Sequence, residues 1–413
     1  MNSKKQFILW LFWYRKSVVR RSFKVTSSFK MFVKLFRKCA GSCSFIGDNI
    51  KQVFRNYSAE SHDGAGLIYK EYGDPMKVLK KVDHVLSKST QSHPMEGRVI
   101  VKMLAAPINP ADINMIQGTY PVKPSLPAVG GNEGVGEVLA VGDDVTSFKE
   151  GDWVLPSSPG FGTWRTHMMC KPSQLKLVAN DIPLISAATL AVNPCSAYRM
   201  LKDFEHVVPG DVIIQNGSNS AVGQAVIQIA SAMKFKTINV IRDRDQPDMD
   251  ALKKHLKSLG ATKVITEDFV RKPEMKDLVK SLGKKPKLAL NCVGGKSATE
   301  LARQLENNGT MVTYGGMSKQ PVVVPTGSFI FKNIKLRGFW MTRWNQENFK
   351  NPESQDMLDE LCELVRQCKL HPPFCNLSHI DNFQDAIATA MKPQTNRKEL
   401  LIMDEKYLDW RYE

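Results

Sequence analysis

Residues 211–234 read DVIIQNGSNSAVGQAVIQIASAMK, and their pattern decides the fold. Val212 to Gln215 form a short, almost wholly apolar run, the mark of a strand buried on both faces of a parallel sheet. From Ala221 the apolar spacing changes to that of a helix. The small residues between them occupy a strand-to-helix turn, where a dinucleotide fingerprint would lie. The match to G-x-G-x-x-G is poor, since counting back from Gly223 the two earlier glycine positions hold Ser218 and Ser220. Both are small, and Asn219 or Ser220 at a helix N-terminus can hydrogen-bond a pyrophosphate. An ordinary turn reads the same way, so this segment alone does not assign a cofactor.

Downstream the alternation continues. TINVIR, KVIT, KLALNCV, TMVTYG and IKLRGFW read as strands, with DALKKHLKSLG and SATELARQL as helices. Strands alternating with helices predict an α/β fold built on a doubly wound parallel sheet. The second strand ends in Arg242-Asp243-Arg244, 19 residues beyond Gly223. NAD enzymes keep an acid there for the ribose 2′-hydroxyl. Two guanidiniums bracketing one carboxylate suit a 2′-phosphate instead, so the predicted cofactor is NADPH. A solvated charged loop is the alternative.

Upstream, from about Leu67 to Leu177, short apolar runs such as VIVKMLAAPI, GVGEVLAVG and GDWVLPS are broken by Gly, Pro, Asn and Asp. They predict a compact β-rich unit. SAATLAVNPCSAYRML then has helical spacing. Past Trp344, a helix around MLDELCELVRQCKL leads to a closing strand, KELLIM. The expected division is a leader at 1–57, a β-rich catalytic domain at 58–188, a dinucleotide domain at 189–343 and a C-terminal segment, 344–413, that returns to the catalytic domain.

The net charge of +16 suggests a polyanion partner until its distribution is seen. Thirteen basic residues and a single acid, Asp48, fall within residues 1–57. Twelve of the sixteen net charges therefore belong to the leader, and no nucleic-acid partner is expected. Around Met31 the leader sets Phe32, Leu35 and Phe36 against Lys34, Arg37 and Lys38, an amphipathic, acid-poor pattern that predicts a mitochondrial transit peptide and a matrix enzyme. Phe7 to Tyr14 is an apolar run of eight residues, too short for membrane insertion, which takes about 20. The eight cysteines are scattered and form no C-x-x-C pair, so neither a disulfide framework nor a four-cysteine zinc lobe is expected.

One stretch carries the chemistry: Asn109 to Val138, NPADINMIQGTYPVKPSLPAVGGNEGVGEV. Together with LAVNPCSAYRML, NGSNSAVGQAVIQIA, INVIRDR, NCVGGKSA, TYGGMS and RGFWMTRW, it resembles the mitochondrial trans-2-enoyl thioester reductases of the medium-chain dehydrogenase superfamily. The likeness runs from about residue 65 to 403 and implies a GroES-like catalytic domain beside a Rossmann domain. In the zinc alcohol dehydrogenases of that superfamily, a Gly-His-Glu triplet supplies a histidine to the metal. Here it is Gly131-Asn132-Glu133, and a neutral amide is a poor zinc ligand, so no metal is expected.

The resemblance implies Tyr120 as proton donor and Asn193 as a contact to the nicotinamide end. It puts Asn219, Ser220, Ala221 and Val222 on the pyrophosphate turn, and Arg242, Asp243 and Arg244 at the 2′-phosphate. Tyr314, Gly315, Gly316 and Met317, then Phe339, Trp340, Met341 and Thr342, fall on two loops that line the cofactor, with Lys398 a further contact. The implied reaction is NADPH-dependent reduction of 2-enoyl thioesters of CoA or acyl carrier protein, in fatty acid synthesis, by a homodimer. A quinone or enone reductase and a non-catalytic NADPH-binding regulator are the competing readings. Trp340 is either a wall of the acyl pocket or a core tryptophan. Lys284, Lys285 and Lys287 form either a docking patch for an acidic carrier or a solvated loop.

Overall fold

The computed structural model describes residues 64–83, 95–392 and 397–408. The leader 1–57, with its expected transit peptide, and the tail from 409 lie outside the described residues. The first eight strands are β1 (Gly66–Tyr69), β2 (Lys80–Val82), β3 (Val99–Pro107), β4 (Ala128–Val129), β5 (Val135–Val141), β6 (Trp153–Pro156), β7 (His167–Cys170) and β8 (Leu175–Val178). A second run follows: β9 (Val212–Gln215), β10 (Lys236–Ile241), β11 (Lys263–Thr266), β12 (Pro286–Asn291), β13 (Thr310–Thr313) and β14 (Lys335–Gly338). Two more, β15 (Cys375–His379) and β16 (Lys398–Ile402), close the chain.

The long strand β3 is the hub of a mainly antiparallel sheet ordered β15-β16-β3-β5-β6-β8. It is buried at every position but Lys102, which is why its sequence runs apolar instead of alternating. One edge of β3 pairs with β5; on the other, β7 pairs with Val99–Lys102 and β16 with Ala105–Pro107. A small antiparallel sheet, β2-β1-β4, completes the β-rich unit.

The second sheet is parallel throughout, in the order β11-β10-β9-β12-β13-β14. Strand order reverses between β9 and β12, and ligands of such sheets bind beyond the carboxyl ends of the strands at that point. One apolar cluster joins the two sheets. It includes Leu104, Ala105 and Val135 from the first sheet, Ile213, Leu288 and Val312 from the second, and Leu400 and Ile402 from β16. Met357, Leu358 and Leu361, on the inner face of the helix Glu353–Arg366, pack into the same cluster.

Two local features differ from the sequence expectation. SAATLAVNPCSAYRML is two helices, Leu184–Ala188 and Asn193–Lys202, instead of one. Pro194 has no amide to donate backwards, so no helix runs through it, and the freed amide of Val192 donates to Glu133 Oε1 at 2.8 Å. The second feature is a helix at Pro110–Ile116 within a unit expected to be β-rich. Its start follows capping rules: Pro110 opens the first turn, and the Asp112 carboxylate accepts the Asn109 amide at 2.7 Å.

Candidate active site

Tyr120 lies just past the helix Pro110–Ile116, on a loop whose amides at Thr119 and Tyr120 both donate to Asn114 O. Its phenol is half-buried. Trp340 Nε1 donates to Tyr120 Oη at 2.8 Å, and the two rings meet edge-on with centroids 6.0 Å apart. Trp340 follows β14 of the parallel sheet, so this bond joins the Tyr120 loop to the carboxyl edge of that sheet. Trp340 is half-buried and so is not a core tryptophan, and it is the hydrogen-bond partner of the phenol.

Asn132, where a zinc enzyme would have its histidine, serves as a tie. Its Nδ2 donates to Asp112 Oδ1 at 2.5 Å, and its Oδ1 accepts the Gly160 amide at 2.6 Å. Burial pushes the Asp112 carboxyl up to about 6, against the hydrogen bonds from Asn109 and Asn132. Beneath it Glu133 is fully buried; burial raises its pKa too, and the charge of Lys398 opposes the rise. Glu133 accepts Asn109 Nδ2 at 2.8 Å and the Val192 amide at 2.8 Å, while Lys398 Nζ donates to Asn109 Oδ1 at 2.5 Å. The chain Lys398–Asn109–Glu133 therefore fixes the backbone immediately before Asn193. Among the described residues no three His, Cys, Asp or Glu side chains gather as metal ligands do.

Most of the residues expected to hold a cofactor lie at the carboxyl edge of the parallel sheet; Lys398 instead opens β16 of the other sheet. Ser218, in the first glycine position of the fingerprint, turns its hydroxyl inward to Gln215 O and Val240 O. Ser220, in the second, caps the helix Ala221–Ala232 by accepting the Gly223 amide at 3.1 Å. The amides of Ala221 and Val222, in the first turn of that helix, have no acceptor within it and point out of its end. Gly223 keeps the third position because a Cβ there would fall 2.6 Å from Ser218 Cα and 2.7 Å from Gly217 O. Beside the turn, Asn216 Nδ2 donates to Asn291 Oδ1 at 2.8 Å and Asn216 Oδ1 accepts the Cys292 amide, bridging β9 and β12 at the reversal point.

One buried polar atom there, Asn193 Nδ2, has no protein partner. Asn193 shares a crevice with Ala221 and Gln224; the Tyr314 hydroxyl lies within hydrogen-bonding reach of Cys292 and Ser220, and burial pushes it well above the usual phenol range. An orphaned buried polar group costs about 1–3 kcal/mol. A ligand with a polar group at Asn193 removes that cost, so the residues present fit the polar end of a dinucleotide. Gly315, Gly316 and Met317 form the loop after β13, where the Met317 amide donates to Cys292 O. Phe339 lies on the short turn after β14, meeting Phe204 edge-on at 5.8 Å, whereas Met341 and Thr342, expected on a loop, open the helix Met341–Asn348.

Arg242, Asp243 and Arg244 directly follow β10, Arg242 and Asp243 exposed and Arg244 half-buried. Lys284 and Lys287 lie at the opposite, amino-terminal edge, before and at the start of β12. Both pair with Asp211, at 2.6 and 3.8 Å, so this patch is away from the site. Sequence reading missed Asn109 and Glu133. The Asn-Pro-x-Asp cap signature pointed to the first; nothing local marked the second.

Known proteins match this architecture. Residues 95–179 match the alcohol dehydrogenase GroES-like domain and residues 221–359 the zinc-binding dehydrogenase family. The mitochondrial enoyl-[acyl-carrier-protein] reductase of Xenopus tropicalis is 53% identical over 340 residues, covering 82% of this chain and 95% of that protein. The solved Etr1p/NADP/crotonyl-CoA complex is 38% identical with a TM-score of 0.75, covering 82% of this chain and 99% of its own. The mitochondrial 2-enoyl thioester reductase Etr1p/Etr2p heterodimer from Candida tropicalis gives 39% and 0.75 over the same shares. Identity above one half across most of both chains exceeds what a shared scaffold requires, and this chain belongs to the mitochondrial enoyl-[acyl-carrier-protein] reductase family.

Proposed function

We propose that this protein is a mitochondrial, NADPH-dependent reductase of trans-2-enoyl thioesters, carried on CoA or acyl carrier protein, with Tyr120 as its proton donor. The supporting observation for the donor is the Tyr120–Trp340 hydrogen bond, which orients a half-exposed phenol against the loop matched to the cofactor. When bound, NADPH supplies a hydride to C3 of the substrate. The thioester oxygen then carries enolate charge, and C2 needs a proton. Trp340 occupies a lone pair of the phenol oxygen, so the phenolic hydrogen is directed away from the indole, free for C2 or the enolate oxygen. As that hydrogen leaves, the indole N–H stays on the oxygen and partners the charge. Solvent reprotonates the half-exposed phenol.

Around this acid, Asn193 would hold the nicotinamide end, and Ser220 with the Ala221 and Val222 amides the pyrophosphate. Arg242 and Arg244 would hold the 2′-phosphate. The test follows NADPH absorbance with crotonyl-CoA and, separately, with a quinone. Turnover of the thioester is expected; turnover of the quinone alone would move the assignment to a quinone reductase.

For assembly we infer a homodimer. Strand β14 ends its sheet, all four of its residues are exposed, and Ile330 and Phe331 just before it are 66% and 81% exposed. An open edge beside bare aromatic surface suits a second copy. Replacing Phe331 with Asp is expected to weaken association at least about 30-fold, a loss of about 2 kcal/mol for a buried aromatic anchor. Sedimentation at micromolar protein would show monomers, and an unchanged dimer would place the interface elsewhere.

A further inference from the structure

Tyr120 stands on a loop with little structure of its own: no residue from Gly118 to Pro127 is helical or in a strand, and most are exposed. A proton donor has to be placed to a fraction of an ångström, so the loop must be fixed from outside. We propose that Tyr72, a residue from the turn after β1, is the positioning residue that does this.

The contacts are at the two feet of the loop. The chain bends at Gly118 with φ +72°, and a Cβ there would lie 3.0 and 3.1 Å from Tyr72 Cβ and Cγ. Only glycine both adopts that backbone readily and lets the tyrosine come so close. Six residues on, Tyr72 Oη donates to Pro124 O at 2.7 Å. The next amide, Gly73, donates to Ile116 O at 3.0 Å and secures the end of the preceding helix. Lys123 Nζ sits over the Tyr72 ring, 6.0 Å from its centroid.

One side chain therefore grips both feet of the loop that carries the phenol. From the other side Pro124 is backed by Gly160, where an added Cβ would be 3.3 Å from Pro124 Cγ. The Gly160 amide is itself held by Asn132. The loop is thus clamped between Tyr72 and the Asn132 tie. Tyr72 is 36% exposed, so the fold as a whole gains little from it, and its hydroxyl is free to matter to the loop alone.

This inference rests on the reading of Tyr120 as donor, and a four-protein experiment separates the two. Wild type, Tyr72→Phe, Tyr120→Phe and the double variant are assayed with NADPH and crotonyl-CoA, with melting temperature and NADPH KM measured alongside. Tyr72→Phe is expected to lower kcat about tenfold, with NADPH KM unchanged and melting within about 2 °C of wild type. Tyr72→Leu, which also removes the ring from Gly118, is expected to lose more. In the Tyr120→Phe background, Tyr72→Phe is expected to cost nothing further, since there is no donor left to place.

If Tyr120→Phe alone keeps wild-type kcat, the donor reading fails and this inference with it. If Tyr120→Phe lowers turnover by about 10²-fold or more while Tyr72→Phe leaves kcat intact, or lowers it equally in both backgrounds, Tyr72 has no positioning role and the donor reading stands.

Discussion

Tyr120→Phe is expected to lower kcat by about 10²–10⁴-fold, the usual contribution of a positioned acid, or about 3–5 kcal/mol of barrier. The fold should hardly notice. The ring is half-exposed and keeps its edge-on contact with Trp340; only the indole hydrogen bond is lost, a matter of about 1 kcal/mol. NADPH affinity, measured by fluorescence titration, should be unchanged because the phenol is not needed to hold the dinucleotide. That combination distinguishes a lost acid from a collapsed site. A variant that binds NADPH normally and turns over within about tenfold of wild type would remove Tyr120 from the chemistry.

The second large effect is expected at the end of β10. Each charge-assisted hydrogen bond to a phosphate contributes about 1.5–3 kcal/mol, less where the side chain is as exposed as Arg242. Removing both guanidiniums with Arg242→Ala and Arg244→Ala is therefore expected to raise the NADPH KM about 10²-fold. NADH, which has no 2′-phosphate, should be nearly unaffected. Asp243 remains in the double variant and can accept from a ribose 2′-hydroxyl, as the acid of NAD enzymes does, so the preference should move towards NADH. Raising the ionic strength should erode wild-type NADPH binding and leave the variant almost unchanged, because exposed ionic contacts are screened. Equal KM changes for both cofactors would place the 2′-phosphate elsewhere.

The parallel sheet was legible because its signals are local. A buried strand is a run of apolar residues, a helix is a period, and both lie within a dozen positions. Ser218 and Ser220 weakened the fingerprint as a string, yet each does what its place demands, one turning inward to carbonyls and the other capping a helix. The bracketing arginines were visible because they stand at the strand end where NAD enzymes keep an acid.

What could not be read was assembled across the chain. Tyr120 and Trp340 are 220 residues apart, Tyr72 and Pro124 are 52, and Asn109 and Lys398 are 289. No periodicity records such pairs. Glu133 stands in the sequence only as the third member of the triplet. Its role as a buried clamp on Val192 depends on the break between two helices that, read as a pattern, looked like one.

The sheet built on β3 has a consequence for how the protein is made. The edge of β3 at Ala105–Pro107 is closed by Leu400–Ile402, and the cluster started by Leu104 is finished by Leu400 and Ile402. A nascent chain emerging from the ribosome cannot complete its first domain until nearly its last residues have appeared. Until then that domain has an open edge and an unfilled core, the state of a polypeptide that can still be drawn through a narrow pore.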